Sequence, residues 1–215
     1  MLECRSVNQT YNALPILADV SLAIAPGEIH QISGPSGGGK TTLLRVLCLL
    51  ETPSAGAVLL DGVEYVAKNL FAREAWALNA DFRRHVTLVS QQIFLWPHLT
   101  CQANIEAVGG RTEDYSALAE RLNVAECLSR FPNQVSVGQR QRVALLRSIA
   151  TRPRFLILDE VTSALDESMA SIVTGLFEEL ARSGLGILLV THRAHGWSVP
   201  PTAWWMEHGR LQCRS

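Results

Sequence analysis

The chain has 215 residues, of which 47% are hydrophobic, and a formal net charge of −1 at pH 7. This length suits one domain with a small inserted lobe and a sizeable core, and the balanced charge gives no support to nucleic-acid binding. Five scattered cysteines without a CxxC pair argue against a disulfide framework or a zinc site, and we expect neither a signal peptide nor a membrane helix of roughly 18 apolar residues.

Short apolar runs predict β-strands along the chain, and amphipathic segments between them predict helices. The strands are expected at Val20–Ile24, Ile29–Ile32, Val86–Val89, Phe155–Leu158 and Ile187–Val190. The helices are expected at Thr41–Leu50, Gln139–Ala150 and Ser168–Ser183, with Gly184 as a C-cap. Alternation of strands and helices predicts an α/β fold with a mainly parallel sheet.

Two further parts of the chain break this alternation. The first 30 residues and Ala57–Val66 are typical of antiparallel strands, with a hairpin turn at Asp61-Gly62. The less hydrophobic stretch at residues 92–135 predicts an inserted helical subdomain, whose best helix is Tyr115–Leu128. The rest of the single domain, residues 1–91 and 136–215, is expected to form the core and the antiparallel part.

A glycine-rich loop separates a predicted strand from a predicted helix. It fits the pattern G-x-x-x-x-G-K-[ST] and consists of Gly34, Pro35, Ser36, Gly37, Gly38, Gly39, Lys40 and Thr41, followed by Thr42. Glycines let backbone N–H groups turn toward phosphate oxygens, and the helix N-terminus adds positive potential. We therefore predict a nucleotide site, with Lys40 on the β- and γ-phosphates and Thr41 on Mg²⁺. A glycine-rich turn with an exposed lysine is the alternative interpretation.

The apolar strand at 155–158 ends in Asp159 and Glu160. Open parallel sheets bind ligands at the carboxyl ends of their strands. Asp159 is predicted to hold Mg²⁺ and Glu160 to polarise the attacking water. A solvated acidic turn is the alternative interpretation of this pair taken alone.

Val135-Ser136-Val137-Gly138-Gln139 resembles the LSGGQ signature of ATP-binding cassette (ABC) ATPases. The resemblance extends over essentially the whole chain and implies a P-loop NTPase core of the RecA-like kind. It makes Tyr11 the aromatic residue on adenine and Gln91 the glutamine that acts on water and Mg²⁺. It makes Asp166 part of the segment Ser163-Ala164-Leu165-Asp166 beside the nucleotide, and His192 the switch histidine on the γ-phosphate.

The signature also has a local physical meaning. Ser136 and Gln139 form a capping-box pattern at a helix N-terminus, which is a favourable place for an anion. In the family this loop, here Ser136, Gly138 and Gln139, binds the γ-phosphate held by the opposite subunit of a head-to-tail dimer. Two departures stand out, Val137 for a signature glycine and Val161 for the usual proline, and neither removes a reacting group.

The resemblance implies an ATP-hydrolysing subunit of an ABC transporter that energises solute transport. Its expected partners are a second copy or a homologous ATPase and an integral membrane permease, with a substrate-binding protein in addition if the solute is imported, and with no nucleic acid. Its expected location is cytoplasmic, peripheral on the inner face of the cell membrane. The alternative is a soluble ABC ATPase acting on nucleic acid or ribosomes.

Two local resemblances leave the direction of transport open. LWPHLT, at residues 95–100, resembles amino-acid importer ATPases, whereas DEVTSALDES, at residues 159–168, resembles short ATPases assigned to iron export. Against the soluble alternative, only 135 − 91 = 44 positions separate Gln91 from Val135, which leaves no room for the long coiled coil of chromosome ATPases. The chain also carries one cassette, whereas translation-factor types carry two.

Overall fold

A computed structural model describes residues 1–65, 80–163, 165–193 and 196–214. Two residues of the sequence predictions lie outside the described residues: Val66, at the end of the predicted antiparallel segment, and Ala164, in the segment that leads to Asp166. Two sheets and the helices packed on them form the structure. The α/β architecture with a mostly parallel sheet confirms the predicted fold class.

The larger sheet has six strands in the spatial order β10-β9-β3-β8-β7-β6. These strands are β3 (Ile29–Ser33), β6 (Val86–Val89), β7 (Phe155–Asp159), β8 (Gly186–Val190), β9 (Thr202–Glu207) and β10 (Arg210–Arg214). All neighbouring pairs are parallel except the terminal hairpin of β9 and β10. Because β7 and β8 are covered on both faces, all ten of their residues are buried, which explains their continuous apolar sequence.

The smaller sheet is antiparallel and has the order β2-β1-β4-β5. Its strands are β1 (Leu2–Tyr11), β2 (Leu14–Ile24), β4 (Ala55–Leu60) and β5 (Val63–Tyr65). The predicted turn is confirmed, since Asp61 and Gly62 both have positive φ between β4 and β5. The antiparallel character predicted for the first 30 residues is confirmed for β1 and β2.

In the described parts of the chain, the sheets are accompanied by the helices α1 (Lys40–Leu47), α2 (Cys101–Glu106), α3 (Thr112–Arg121), α4 (Val137–Ala150) and α5 (Glu167–Arg182). Residues 80–85 are also helical. Gly184 ends α5 with φ +102°, and its N–H donates to the carbonyl of Ala181, which confirms the predicted C-cap.

The helix predicted at Tyr115–Leu128 is wrong in its bounds. It is α3, which begins at Thr112 and ends at Arg121, and a separate 3-10 turn follows at Ala125–Cys127. The physical reason is Asn123, which adopts a left-handed conformation with φ +51° and terminates the helix. The stretch at residues 92–135 contains α2, α3 and two 3-10 turns, so its described regular structure is helical.

Buried side chains form two clusters, one on each side of the larger sheet. One cluster joins α1 and the smaller sheet to the large sheet, and the other joins α4, α5 and the helical stretch to its opposite face. None of the described helices is both long and apolar enough to cross a membrane.

Candidate functional site

The order of the strands determines which loops meet. Because β3, β8, β7 and β6 are adjacent and parallel, their carboxyl ends lie along one edge of the sheet. The glycine-rich loop follows β3, His192 follows β8, Glu160 follows β7 and Gln91 follows β6. Loops that are far apart in sequence therefore meet at this edge of the sheet.

The glycine-rich loop lies tightly against neighbouring backbone. A Cβ on Gly34, which has φ +150°, would lie 2.0 Å from the carbonyl oxygen of Met206 in β9. Gly39, with φ +100°, is the residue before α1, and a Cβ there would lie 2.9 Å from the carbonyl oxygen of Ile16. Both positions therefore require glycine for space as well as for conformation.

Lys40 and Thr41 begin α1 beneath this loop. The Lys40 ammonium donates to the carbonyls of Gly34 at 2.7 Å and Pro35 at 2.8 Å. Thr41 Oγ1 donates to Asp159 Oδ2 at 3.0 Å. Burial lowers the pKa of Lys40, opposed by the charges of Glu160 and Asp159, and burial raises the pKa of Asp159. The loop and the acidic strand end are therefore in direct contact.

Glu160 is the centre of a second group of contacts. It leaves β7 with φ +52°, a strained conformation for a residue with a side chain. Gln91 Nε2 donates to Glu160 Oε2 at 3.1 Å, and His192 Nε2 lies 3.6 Å from Glu160 Oε1. The structure thus brings together all three residues that the sequence assigned to catalysis.

Tyr11 lies at the end of the β1–β2 hairpin, and 41% of its surface is exposed. Its hydroxyl donates to Glu51, and the same hydroxyl interacts with Thr42 in α1. Partial burial and the Glu51 carboxylate raise the pKa of Tyr11. The ring is therefore held next to the helix that follows the glycine-rich loop. Sequence reasoning did not find Glu51, which carries no motif.

The loop at Ser136 caps α4 as predicted. Ser136 Oγ accepts from the Gln139 N–H at 3.2 Å, and Gln139 Oε1 accepts from the Ser136 N–H at 2.9 Å. Val137 is the first residue of α4 and has no positive φ, so the valine fits its position without strain. Its side chain is 55% exposed.

This capping loop lies at the end of α4 that precedes the part of the helix facing Asp159. Ala144 and Ser148 of α4 line a cavity together with Asp159 and Thr41. A helix rises about 1.5 Å per residue, so Ser136 lies about 12 Å along the axis from Ala144. Among the described residues, Ser136, Gly138 and Gln139 make no hydrogen bond to Lys40, Asp159 or Glu160.

Asp166 caps α5, since its carboxylate accepts from the Met169 N–H at 2.8 Å. The nearby Arg193, which sequence analysis did not single out, donates from Nη1 to the carbonyls of Thr162 at 3.2 Å and Leu165 at 2.6 Å. Val161, which replaces a proline in the resemblance, is buried in the core. Its apolar side chain therefore has a packing role.

A cavity of about 650 Å³ opens beside Gln91 and extends along α1 and β6. Its rim carries Phe94, which is 66% exposed, and a neighbouring cavity is lined by Trp96, which is 41% exposed. Arg147 donates to the Phe94 carbonyl at 2.6 Å and lies over the Trp96 ring. Buried Asn104 accepts from the Trp96 N–H and donates to its carbonyl, so the Trp96 backbone is held against α2.

Comparison with known proteins agrees with the resemblance found at the signature loop. Residues 17–163 match the family model described as ABC transporter. The chain is 34% identical to the glutamine transport ATP-binding protein GlnQ of Escherichia coli, over 89% of this chain and 81% of that protein. It is 35% identical to the arginine transport ATP-binding protein ArtP of Haemophilus influenzae, over 98% and 90% of the two chains.

Solved structures give the same result. The dimeric structure of MJ0796, a bacterial ABC transporter cassette, superposes with a TM-score of 0.84 at 29% identity, covering 99% of this chain and 97% of that one. A second dimeric structure of MJ0796, bound to ADP and Pi after hydrolysis, superposes with a TM-score of 0.80 at 28% identity, covering 100% and 98%.

Proposed function

We propose a division of roles within the ATP-hydrolysing site of this chain, which belongs to the ABC transporter family of ATP-binding subunits. The observation that carries the proposal is the joining of four loops at one edge of the sheet. There Lys40, Thr41 and Asp159 adjoin Glu160, which contacts Gln91 and His192.

The nucleotide is bound from its base to its phosphates by the first part of the chain. Tyr11 stacks on adenine, and the backbone N–H groups from Gly34 to Thr42 bind the phosphates. Two of the three Lys40 N–H donors hold the loop carbonyls, and the third is available to the β- and γ-phosphates. The N-terminus of α1 adds a favourable field.

Magnesium fits the donor set beside the phosphates. Thr41 and Asp159 supply a hydroxyl and a carboxylate oxygen 3.0 Å apart, and Gln91 adds an amide oxygen. Mg²⁺ prefers a small number of oxygen ligands from the protein, since it keeps several waters and also binds substrate phosphates. The bound ion neutralises charge on the phosphate oxygens.

Glu160 acts as the base that orients and activates water. Gln91 donates to one carboxylate oxygen and fixes its direction, and His192, close to the other oxygen, stabilises the γ-phosphate. The 3.6 Å separation of His192 Nε2 from Glu160 Oε1 supports the assignment of both side chains to one site. Positioning and electrostatics are the main sources of catalysis in phosphoryl transfer.

The site is completed by a second subunit in a head-to-tail dimer. Ser136, Gly138 and Gln139 lie at the N-terminus of α4, where Ser136 is exposed and its hydrogen bonds are to Gln139 of the same loop. They bind the γ-phosphate held by the other subunit, with Asp166 near the same interface. Dimeric relatives of this fold support the arrangement.

The cavity beside Gln91 receives a segment of an integral membrane permease. Exposed Phe94 on its rim and exposed Trp96 of the neighbouring cavity supply apolar contacts, and the adjoining Arg147 supplies a cation. Docking there holds the ATPase on the cytoplasmic face of the membrane and brings the permease next to Gln91. The names of the relatives, which concern glutamine and arginine transport, favour amino acids as the solute class.

Two substitutions test the division of roles. Lys40→Ala should abolish most ATP hydrolysis in the purified protein, because it removes the cation from the phosphates. Glu160→Gln should bind ATP and accumulate as a dimer in size-exclusion chromatography with MgATP, because the interface no longer opens through hydrolysis. The control is Glu120→Gln, which makes the same change on the exposed surface of α3 and should leave turnover and size unchanged.

Near-normal turnover of Lys40→Ala would overturn the phosphate site. A Glu160→Gln protein that binds ATP but stays monomeric would count against the composite site. For the solute, uptake of labelled arginine and of labelled glutamine is measured in cells with and without the gene. If removal of the gene changes the uptake of neither amino acid, the result contradicts the amino-acid assignment.

A further inference from the structure

Arg193 lies directly after His192 and reaches across to the neighbouring loop. One guanidinium nitrogen, Nη1, donates to two carbonyls, those of Leu165 at 2.6 Å and Thr162 at 3.2 Å. Both carbonyls belong to the turn that leads from Glu160 to Asp166. A single side chain therefore connects the loop after β8 to the loop after β7.

The turn at Glu160 needs such a connection because it lies beyond regular structure. The β7–β8 ladder ends at the pair Asp159 and Val190, and the last backbone bond across it runs from the Glu160 N–H to the Val190 carbonyl at 3.0 Å. Within the turn, Ser163 donates through its N–H and Oγ to the Glu160 carbonyl. Arg193 extends the cross-links between the two loops past the end of the ladder.

The loop that carries Arg193 is itself fixed. The Arg193 N–H donates to Thr191 Oγ1 at 3.0 Å, and the Thr191 N–H donates to the Ile32 carbonyl at 3.2 Å in the strand before the glycine-rich loop. Arg193, His192 and Glu160 also line one cavity of about 350 Å³. Movement of the turn therefore changes the distance between the Glu160 carboxylate and the His192 ring.

We infer that Arg193 is a positioning residue for ATP hydrolysis, which holds the turn from Glu160 to Asp166 against the loop of His192. The inference rests on the proposed roles of Glu160 and His192. Arg193 acts through these neighbours and does not touch the nucleotide. Its effect therefore falls on turnover, whereas nucleotide binding depends on Tyr11 and the glycine-rich loop.

The charge and shape of arginine suit this task. A guanidinium keeps its charge at all relevant pH values, and its hydrogen bonds to carbonyls are stronger than those of a neutral donor. Glutamine at the same position has a shorter side chain and no charge. Lysine keeps the charge, and its single nitrogen has enough N–H groups to serve both carbonyls.

The test compares Arg193→Gln and Arg193→Lys with the unaltered protein. We expect Arg193→Gln to lower kcat by about 10- to 100-fold, because small displacements of catalytic groups cost rates of this order. The dissociation constant for a fluorescent ATP analogue should stay unchanged. Arg193→Lys should recover part of the lost kcat.

Arg121→Gln is the matched control, since Arg121 makes an exposed, two-pronged ion pair with Glu179 far from this edge. It removes the same charge and two hydrogen bonds, and it should shift the thermal midpoint of unfolding as Arg193→Gln does, without lowering kcat. Lys40→Ala is assayed in parallel. If Lys40→Ala is inactive while Arg193→Gln keeps full kcat, the inference about Arg193 is wrong and the proposed site stands.

Two other results would also overturn the inference. A parallel loss of nucleotide binding and thermal stability in Arg193→Gln would assign Arg193 a merely structural role. Failure of Arg193→Lys to exceed Arg193→Gln in kcat would exclude the donor role. If Lys40→Ala itself is active, the proposed function fails independently of Arg193.

Discussion

Replacing Ser136 with alanine separates a structural role from a catalytic one. In the structure, the Ser136 hydroxyl caps α4 through a 3.2 Å bond from the Gln139 N–H. Loss of a serine cap costs about 1 kcal/mol of stability. For a chain of this size, that is a fall of about 2–4 °C in the midpoint of thermal unfolding.

The cap alone does not account for the effect that we expect on turnover. If Ser136 also binds the γ-phosphate of the opposite subunit, Ser136→Ala removes a donor that acts in the transition state. Loss of one such donor lowers kcat by about 10²–10³-fold. If Ser136 is only a helix cap and has no phosphate partner, Ser136→Ala should lower stability without lowering kcat.

Thr100 provides the matched control for this experiment. It caps α2 in the same way, with its side chain accepting from the Ala103 N–H at 3.1 Å. Thr100→Ala should therefore cost a similar amount of stability and leave ATP hydrolysis by the purified protein unchanged. Neither substitution changes the net charge.

The assay is steady-state ATP hydrolysis at a temperature well below both unfolding midpoints, with thermal melts of each variant. ATP-dependent dimer formation is measured in the Glu160→Gln background, where Ser136→Ala should weaken the dimer and Thr100→Ala should not. Equal turnover in the two alanine variants would refute the assignment of Ser136 to the composite site and leave it as a helix cap.

Three further predictions concern backbone and charge. Val137→Gly should cost only about 0.5–1 kcal/mol of stability with normal turnover, whereas Gly138→Val should greatly lower ATP hydrolysis; normal hydrolysis by Gly138→Val would contradict contact with phosphate. Burial raises the pKa of Asp159, so its ionisation reduces stability as the pH rises through that pKa. Asp159→Asn should melt higher than the unaltered protein at neutral pH, with the difference vanishing below the ordinary pKa of aspartate. The pKa of Asp61 is lowered from 3.8 to about 2, mainly by hydrogen bonds from Arg154. Asp61→Asn should therefore be less stable than the unaltered protein above pH 3.8, and this difference should disappear as the pH falls toward 2. A difference that does not depend on pH would exclude this ion pair as the cause.

Much of the candidate site could be predicted because its motifs are local. The glycine-rich loop, the two acids after β7 and the capping pattern at Ser136 each occupy a few consecutive residues. Their conformations follow from short-range effects, namely the freedom of glycine, the burial of an apolar strand and the pairing of Ser136 with Gln139. The family resemblance added the roles proposed for Tyr11 and His192, which no local pattern carries.

The tertiary structure decided the contacts between distant residues. Thr41 and Asp159 are 118 positions apart, and only the order of strands in the sheet makes them neighbours. The partner of Tyr11, which is Glu51, and the carbonyls bound by Arg193 likewise depend on where loops from different strands come together. No periodicity marks these side chains.

The bounds of α3 show the same limit at the scale of one helix. Its apolar spacing continues past Arg121 to Leu128, and the sequence therefore predicted one long helix. Asn123 instead adopts a left-handed conformation, and the Val124 N–H donates to the Ala119 carbonyl at 2.9 Å. Local propensity determines where helices are favourable, but the packing of Leu122 and Val124 into the core determines where this one ends. The free energy gained by burying their apolar surface outweighs the helical hydrogen bonds that are lost.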